Sequence, residues 1–306
     1  MRRRLLALGV LVVAVAVPVG AQPAQDWDSL RAVYDYDASA PLDATAEEAL
    51  ESGQYTVQAL SFAGFAGERV PALLMRPVAA ERPPCVLFLH GLGGDKSNAK
   101  LAAGLLAPHG IAVLAIDAAL HGARAPAGVE LTPELLLDGR PMVRTVIDNR
   151  RAIDYIATRS DLDAQRVVLV GVSMGAILGS IVAAVDERVD AAALLVGGGG
   201  WERLLASSEH PLVQRLREAG GGSGAAMAHL DPVHFVGHIS PRPLLMINGT
   251  QDAIIPRACA DALHEAAGEA GQVIWYEGGH VGMPVDVLAS LVAWIVAQTG
   301  VAALPG

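Results

Sequence analysis

The chain has 306 residues, 52% of them hydrophobic and 18% charged, with a net charge of −10 at neutral pH. This excludes a disordered polymer and leaves room for a large core in one domain, or one domain with an insertion, while the acidity argues against nucleic acid and anionic membrane as partners. Two cysteines, Cys85 and Cys259, are too few for a disulfide framework and read as buried free thiols.

Residues 1–21 open with Arg2, Arg3 and Arg4, run apolar from Leu5 to Val17, and end with Val19 and Ala21 at cleavage-type spacing. That is the pattern of a secretory signal peptide cut after Ala21, and its apolar run is shorter than the roughly 20 residues of a membrane span. Removal of the three arginines would take the net charge from −10 to −13. The expectation is a secreted or periplasmic protein without stable membrane insertion after cleavage.

Residues 22–52 read as an N-terminal arm, with TAEEAL (45–50) as a short helix, ahead of a domain over 53–300. YTVQALSF (55–62) and ERVPALLMRP (68–77) read as an antiparallel strand pair. From Cys85 onward, apolar strands at 85–90, 111–117, 166–171, 189–197, 243–250 and 272–278 alternate with helices at 98–110, 142–160, after Ser173, and at 257–271 and 285–298. Continuous apolar strands between helices predict an α/β fold with a mostly parallel sheet covered on both faces. Residues 198–241 break the rhythm after the sixth predicted strand, counting the antiparallel pair, and read as a cap-like insertion over a site.

Gly171-Val172-Ser173-Met174-Gly175 stands between a predicted strand and a predicted helix. In that context G-x-S-x-G marks a strained turn that lifts a serine hydroxyl above the sheet. A hydroxyl attacks only if a base removes its proton, so a histidine oriented by a carboxylate is required further along the chain. Asp252, after strand 243–250, and His280, after strand 272–278, supply both in order. Asp252 could instead cap the following helix, and Asp286 and Asp231 are weaker acids; His90, His121 and His238 all precede the acid. His90-Gly91-Leu92-Gly93-Gly94 follows the strand at 85–90, so the Leu92 and Met174 amides can form an oxyanion hole. The glycines lack the spacing of a phosphate-binding loop. No metal-ligand spacing is present, and no cofactor is expected.

HGLGG, the segment DNRRAIDYIATRSDLDAQRVVLVGVSMG, the stretch around INGTQDAIIP, and EGGH together resemble the α/β-hydrolase superfamily from about Tyr55 to Gln298. They look most like its dienelactone-hydrolase and acetyl-xylan-esterase branch. The resemblance implies Ser173 as nucleophile, Asp252 as acid, His280 as base, and Leu92 with Met174 as oxyanion donors. The branch's dienelactone hydrolases carry cysteine where this chain has Ser173, which turns the expectation towards esters of small or medium acyl groups, acetylated carbohydrate among them. Val172 beside the serine, with Trp201, Leu204 and Phe235 from the insertion, are the candidate pocket residues. A prolyl-oligopeptidase-like peptidase and a non-catalytic hydrolase-like binding module are the competing readings.

Overall fold

The computed structural model describes residues 26–127, 132, 135, 138–218 and 224–301. The signal-peptide expectation for residues 1–21 lies outside the described residues.

The apolar runs that lack in-out alternation become the parallel part of one sheet. In chain order these strands are β5 (Pro84–Leu89), β6 (Ala112–Ile116), β7 (Asp163–Val172), β8 (Ala191–Leu195), β9 (Leu244–Gly249) and β10 (Gly271–Tyr276). They are preceded by β1 (Thr45–Ala46), β2 (Leu50–Ser52), β3 (Tyr55–Ala63) and β4 (Arg69–Pro77). The spatial order is β1-β3-β4-β6-β5-β7-β8-β9-β10, with β2 also paired to β3. β3 and β4 form the expected antiparallel pair, and β4 joins β6 antiparallel.

Both faces of the central strands are buried, as strands of this kind require. On one face Leu87 and Leu169 pack with α3 (Arg140–Thr158) and α4 (Met174–Val185); on the other Val86, Phe88, Val168 and Val170 pack with α2 (Ala99–Leu106) and α8 (Val285–Thr299). Each such side chain contributes about 1.5–3 kcal/mol by leaving water, which holds the register of every central strand. α7 (Arg257–Ala267) links β9 to β10.

TAEEAL does not form a helix; its ends are the short strands β1 and β2, paired antiparallel to β3 at Ala46–Leu60 and Leu50–Val57. All six residues are exposed, so the segment has no apolar stripe to bury. A helix that short cannot recover its nucleation cost alone, whereas the edge of β3 offers ladder partners. The helix in this region is instead α1 (Trp27–Ala32), whose Trp27 ring stacks on His238 at 3.6 Å between centroids.

The arm is bound mainly through Arg151, a buried residue of α3. Its guanidinium donates to the carbonyls of Ala40 (2.7 Å), Pro41 (3.2 Å) and Ala63 (3.3 Å) and to Asp154 Oδ2 (2.8 Å). Arg151→Leu removes all of these donors at once, while Asp154 keeps its ion pair with Arg188 (2.7 Å). The expected loss is about 1–3 kcal/mol, read as a lowered midpoint in denaturant; an unchanged midpoint would show these contacts to be energetically idle.

Candidate active site

The sheet reverses its winding between β5 and β7, since the chain leaves β5 for β6 on one side and leaves β7 for β8 on the other. Connections departing in opposite directions open a crevice at the carboxyl ends of such strands, where ligands bind. Ser173 sits there, at the end of β7, with φ 56° and ψ −116°. A non-glycine residue in that region is strained, and it is held by its own amide donating to Leu195 O (2.9 Å) and by α4 starting at the next residue. The flanking glycines are required by contact: a Cβ on Gly171 would stand 2.2 Å from Gly175 O, and one on Gly175 would stand 2.1 Å from Leu89 O.

Asp252 and His280 follow β9 and β10 and meet Ser173. Ser173 Oγ donates to His280 Nε2 (2.9 Å), and His280 Nδ1–H donates to Asp252 Oδ2 (2.7 Å). The other oxygen, Asp252 Oδ1, accepts the Ile254 and Ile255 amides, each at 2.9 Å, so the carboxylate is buried and fully directed. The two loops are tied together: Gln251 N–H donates to Gly278 O (2.9 Å), and Tyr276 Oη–H braces the Gly279 carbonyl (2.7 Å) one residue before the histidine. A proton on Nδ1 leaves the Nε2 lone pair facing the serine hydroxyl, the tautomer that can accept its proton.

Leu92 and Met174 border the same cavity as Ser173 and His280. Among the described residues neither backbone N–H of this pair has an acceptor. The loop carrying Leu92 is anchored from behind. His90 is buried, accepts the Ala118 amide at Nε2 (3.1 Å) and donates from Nδ1 to Gly91 O (2.8 Å). Burial lowers its pKa, which keeps the ring neutral in this bridging tautomer. Further along, the buried Asp117 accepts the Lys96 amide (2.9 Å), the Lys96 ammonium (2.7 Å) and the Ala123 amide (2.8 Å). Three of the rival bases and acids are occupied elsewhere: His90 in this brace, His238 against Trp27, and Asp231 in accepting the Gly200 (2.8 Å) and Trp201 (2.9 Å) amides.

The insertion supplies α5 (Trp201–Ser207) and α6 (Pro211–Glu218), which roof a cavity of about 200 Å³ above Ser173. Trp201 and Leu204 line it. Two expected pocket residues do not. Phe235 is fully buried in the core, edge-on to Trp27 (5.9 Å) and Tyr34 (5.8 Å), because the second half of the insertion turns down against the arm. Val172 packs on the α2/α8 face, because alternation along β7 puts it on the same side as Val168 and Val170, away from the cavity. Sequence reasoning missed most of the wall, including Ile177, Val213, Leu216 and Ile254, and one polar lining residue, His210.

Burial pushes the Cys85 thiol up to about 12 and the Cys259 thiol to about 11, so both free cysteines stay protonated and unreactive. Among the described residues no helix is long and apolar enough to cross a membrane.

The chain is similar to several known proteins. YtaP of Bacillus subtilis (strain 168) is 29% identical over 218 residues, covering 65% of this chain and 70% of that protein. Esterase YjfP of Escherichia coli (strain K12) is 27% identical over 212 residues, covering 66% and 83%. The acetyl xylan esterase from Paenibacillus sp. R4 superposes with a TM-score of 0.72 at 22% identity, over 89% of this chain and 92% of that one, which shows a shared α/β-hydrolase fold. The sequence pattern of the Dienelactone hydrolase family matches residues 70–282. One continuous match therefore takes in the Leu92 loop, the Ser173 turn and the loops of Asp252 and His280, and the chain belongs to the dienelactone hydrolase family.

Proposed function

We propose that this protein is a serine hydrolase that cleaves carboxylic esters of small or medium acyl groups through an acyl-enzyme. The observation that carries the reading is the unbroken hydrogen-bond chain from Asp252 through His280 to Ser173 Oγ, facing two amides with no acceptor among the described residues.

In the first step His280 Nε2 takes the Ser173 proton as Oγ attacks the ester carbonyl. The oxyanion accepts from the Leu92 and Met174 amides, and such a donor is worth roughly 2.7–4 kcal/mol to the transition state. The imidazolium then protonates the departing alcohol. In the second step the neutral imidazole left behind takes a proton from water as that water attacks the acyl-enzyme, and His280 then returns the proton to Ser173 Oγ as the acid leaves. The acyl chain occupies the cavity under α5 and α6, whose wall is mainly aliphatic and whose size of about 200 Å³ suits a short to medium chain. The Paenibacillus neighbour's name supports acetylated carbohydrate as an alcohol class to include. The basic and apolar leader at residues 1–21 supports action outside the cytoplasm.

A fluorophosphonate probe is expected to label Ser173 alone, and p-nitrophenyl esters to be hydrolysed with an optimum at short or medium chains. A folded protein that is neither labelled nor active on any ester would leave the non-catalytic binding module as the reading.

A further inference from the structure

Two side chains in the roof of the cavity carry polar atoms for which acyl transfer has no use: Trp201, whose indole N–H is buried without a partner among the described residues, and His210, which is not sealed off in that way. His210 immediately precedes α6, and its Nδ1 accepts the Leu212 backbone N–H (3.2 Å), a side-chain cap of the helix. A ring nitrogen that accepts carries no proton, so in neutral His210 the proton is on Nε2. Burial, and secondly the charge His280 can carry, hold this ring's pKa below the ordinary histidine value. Neutral His210 therefore presents a single N–H donor.

Among the described residues Nε2–H meets no acceptor, and His210 borders the cavity together with Ser173 and His280. The cavity is walled further by Leu204, Leu205, Val213, Leu216 and Ile254, none with a side-chain polar atom, while the indole N–H of Trp201 is itself buried. A donor that borders the cavity within a mainly aliphatic wall rewards one acceptor at one place, and it disfavours a chain that puts methylene against it. It does not suit a carboxylate, which the surrounding wall would strip of water with no cation to balance it.

Resting on the ester-hydrolase reading above, we propose that His210 is a specificity-determining residue: its Nε2–H selects acyl groups that carry a neutral oxygen acceptor, an ether, keto or hydroxyl oxygen, within an otherwise aliphatic chain.

The test compares p-nitrophenyl hexanoate with isosteres in which an ether oxygen replaces the methylene at carbon 3, 4 or 5. Each kcat/KM is divided by the rate of alkaline hydrolysis of the same ester, which removes the inductive effect of the oxygen. The wild-type protein is expected to favour one oxygen position over hexanoate by roughly tenfold, the worth of one hydrogen bond between neutral groups. His210→Ser keeps a good helix cap while removing the imidazole N–H, the short serine side chain holding its hydroxyl at the cap and short of the position Nε2 occupied, and it should bring that ratio to about 1, mainly through KM. His210→Leu should do the same, and thermal melts report whether each variant is folded. A purely structural cap would instead leave the ratio intact in the serine variant.

An active, fluorophosphonate-labelled protein whose ratio is flat, or equal in wild type and both variants, overturns the role of His210 alone. Absence of both labelling and turnover overturns the hydrolase reading, and this proposal with it.

Discussion

Asp252→Asn is expected to lower kcat by about 10⁴ while leaving the protein folded, and Ser173→Ala to remove acyl-enzyme turnover altogether. The expected size of the first effect follows from what surrounds the carboxylate. Oδ1 accepts two backbone amides, those of Ile254 and Ile255. In the variant the asparagine oxygen must keep that place, because an amide NH₂ there would face two N–H donors. The NH₂ is thereby turned towards His280 Nδ1, where the carboxylate oxygen stood at 2.7 Å. Nδ1 must now accept, the imidazole proton moves to Nε2, and the nitrogen facing Ser173 can no longer take the hydroxyl proton. Saturating kinetics on a p-nitrophenyl ester, beside a thermal melt, check both halves of the expectation. Activity within tenfold of wild type would transfer the orienting role to another carboxylate, yet Asp231 is committed to the start of α5 and Asp286 lies exposed on α8.

The positions of Ser173, Asp252, His280 and the HGLGG loop were legible because each follows an apolar strand, and parallel strands in one sheet bring their carboxyl ends to one side. What the strands could not convey was the course of the insertion. Nothing in the periodicity of residues 198–241 tells that Trp201 roofs the cavity while Phe235 turns into the core beside Tyr34. Val172 was open to a better reading: it is two residues from Val170 and four from Val168, so alternation along one strand already sends it to the opposite face. His210 also carried a signal, since a polar residue before Pro211 at the start of an amphipathic run is a helix cap, but only the fold shows that its free nitrogen borders the cavity. TAEEAL failed for the opposite reason. Its local preference was legible, and a partner strand distant in the sequence overrode it.

Gly175→Ala should be among the most damaging small changes in the domain. The added Cβ would lie 2.1 Å from Leu89 O, 2.6 Å from Leu89 C and 2.8 Å from His90 O. All three are backbone atoms, so no side chain can swing aside. Leu89 ends β5, and His90 opens the loop that carries Leu92, so relief of the clash has to move that loop away from Ser173 or α4 away from the sheet. Overpacking against yielding side chains costs about 1–3 kcal/mol, and against fixed backbone the cost should reach the upper end of that range or exceed it. For a domain of this size a cost of about 3 kcal/mol lowers the melting temperature by roughly 6 °C, and esterase activity should fall together with it because the Leu92 and Met174 amides lose their common focus. Gly104→Ala is the matched control: Gly104 lies on the exposed side of α2 with nothing within 4 Å of its would-be Cβ, so the same methyl group should stabilise the helix by about 0.5–1 kcal/mol. Wild-type melting and activity in Gly175→Ala would mean that the turn tolerates a side chain there, and that the second glycine of the motif is not held by contact with β5.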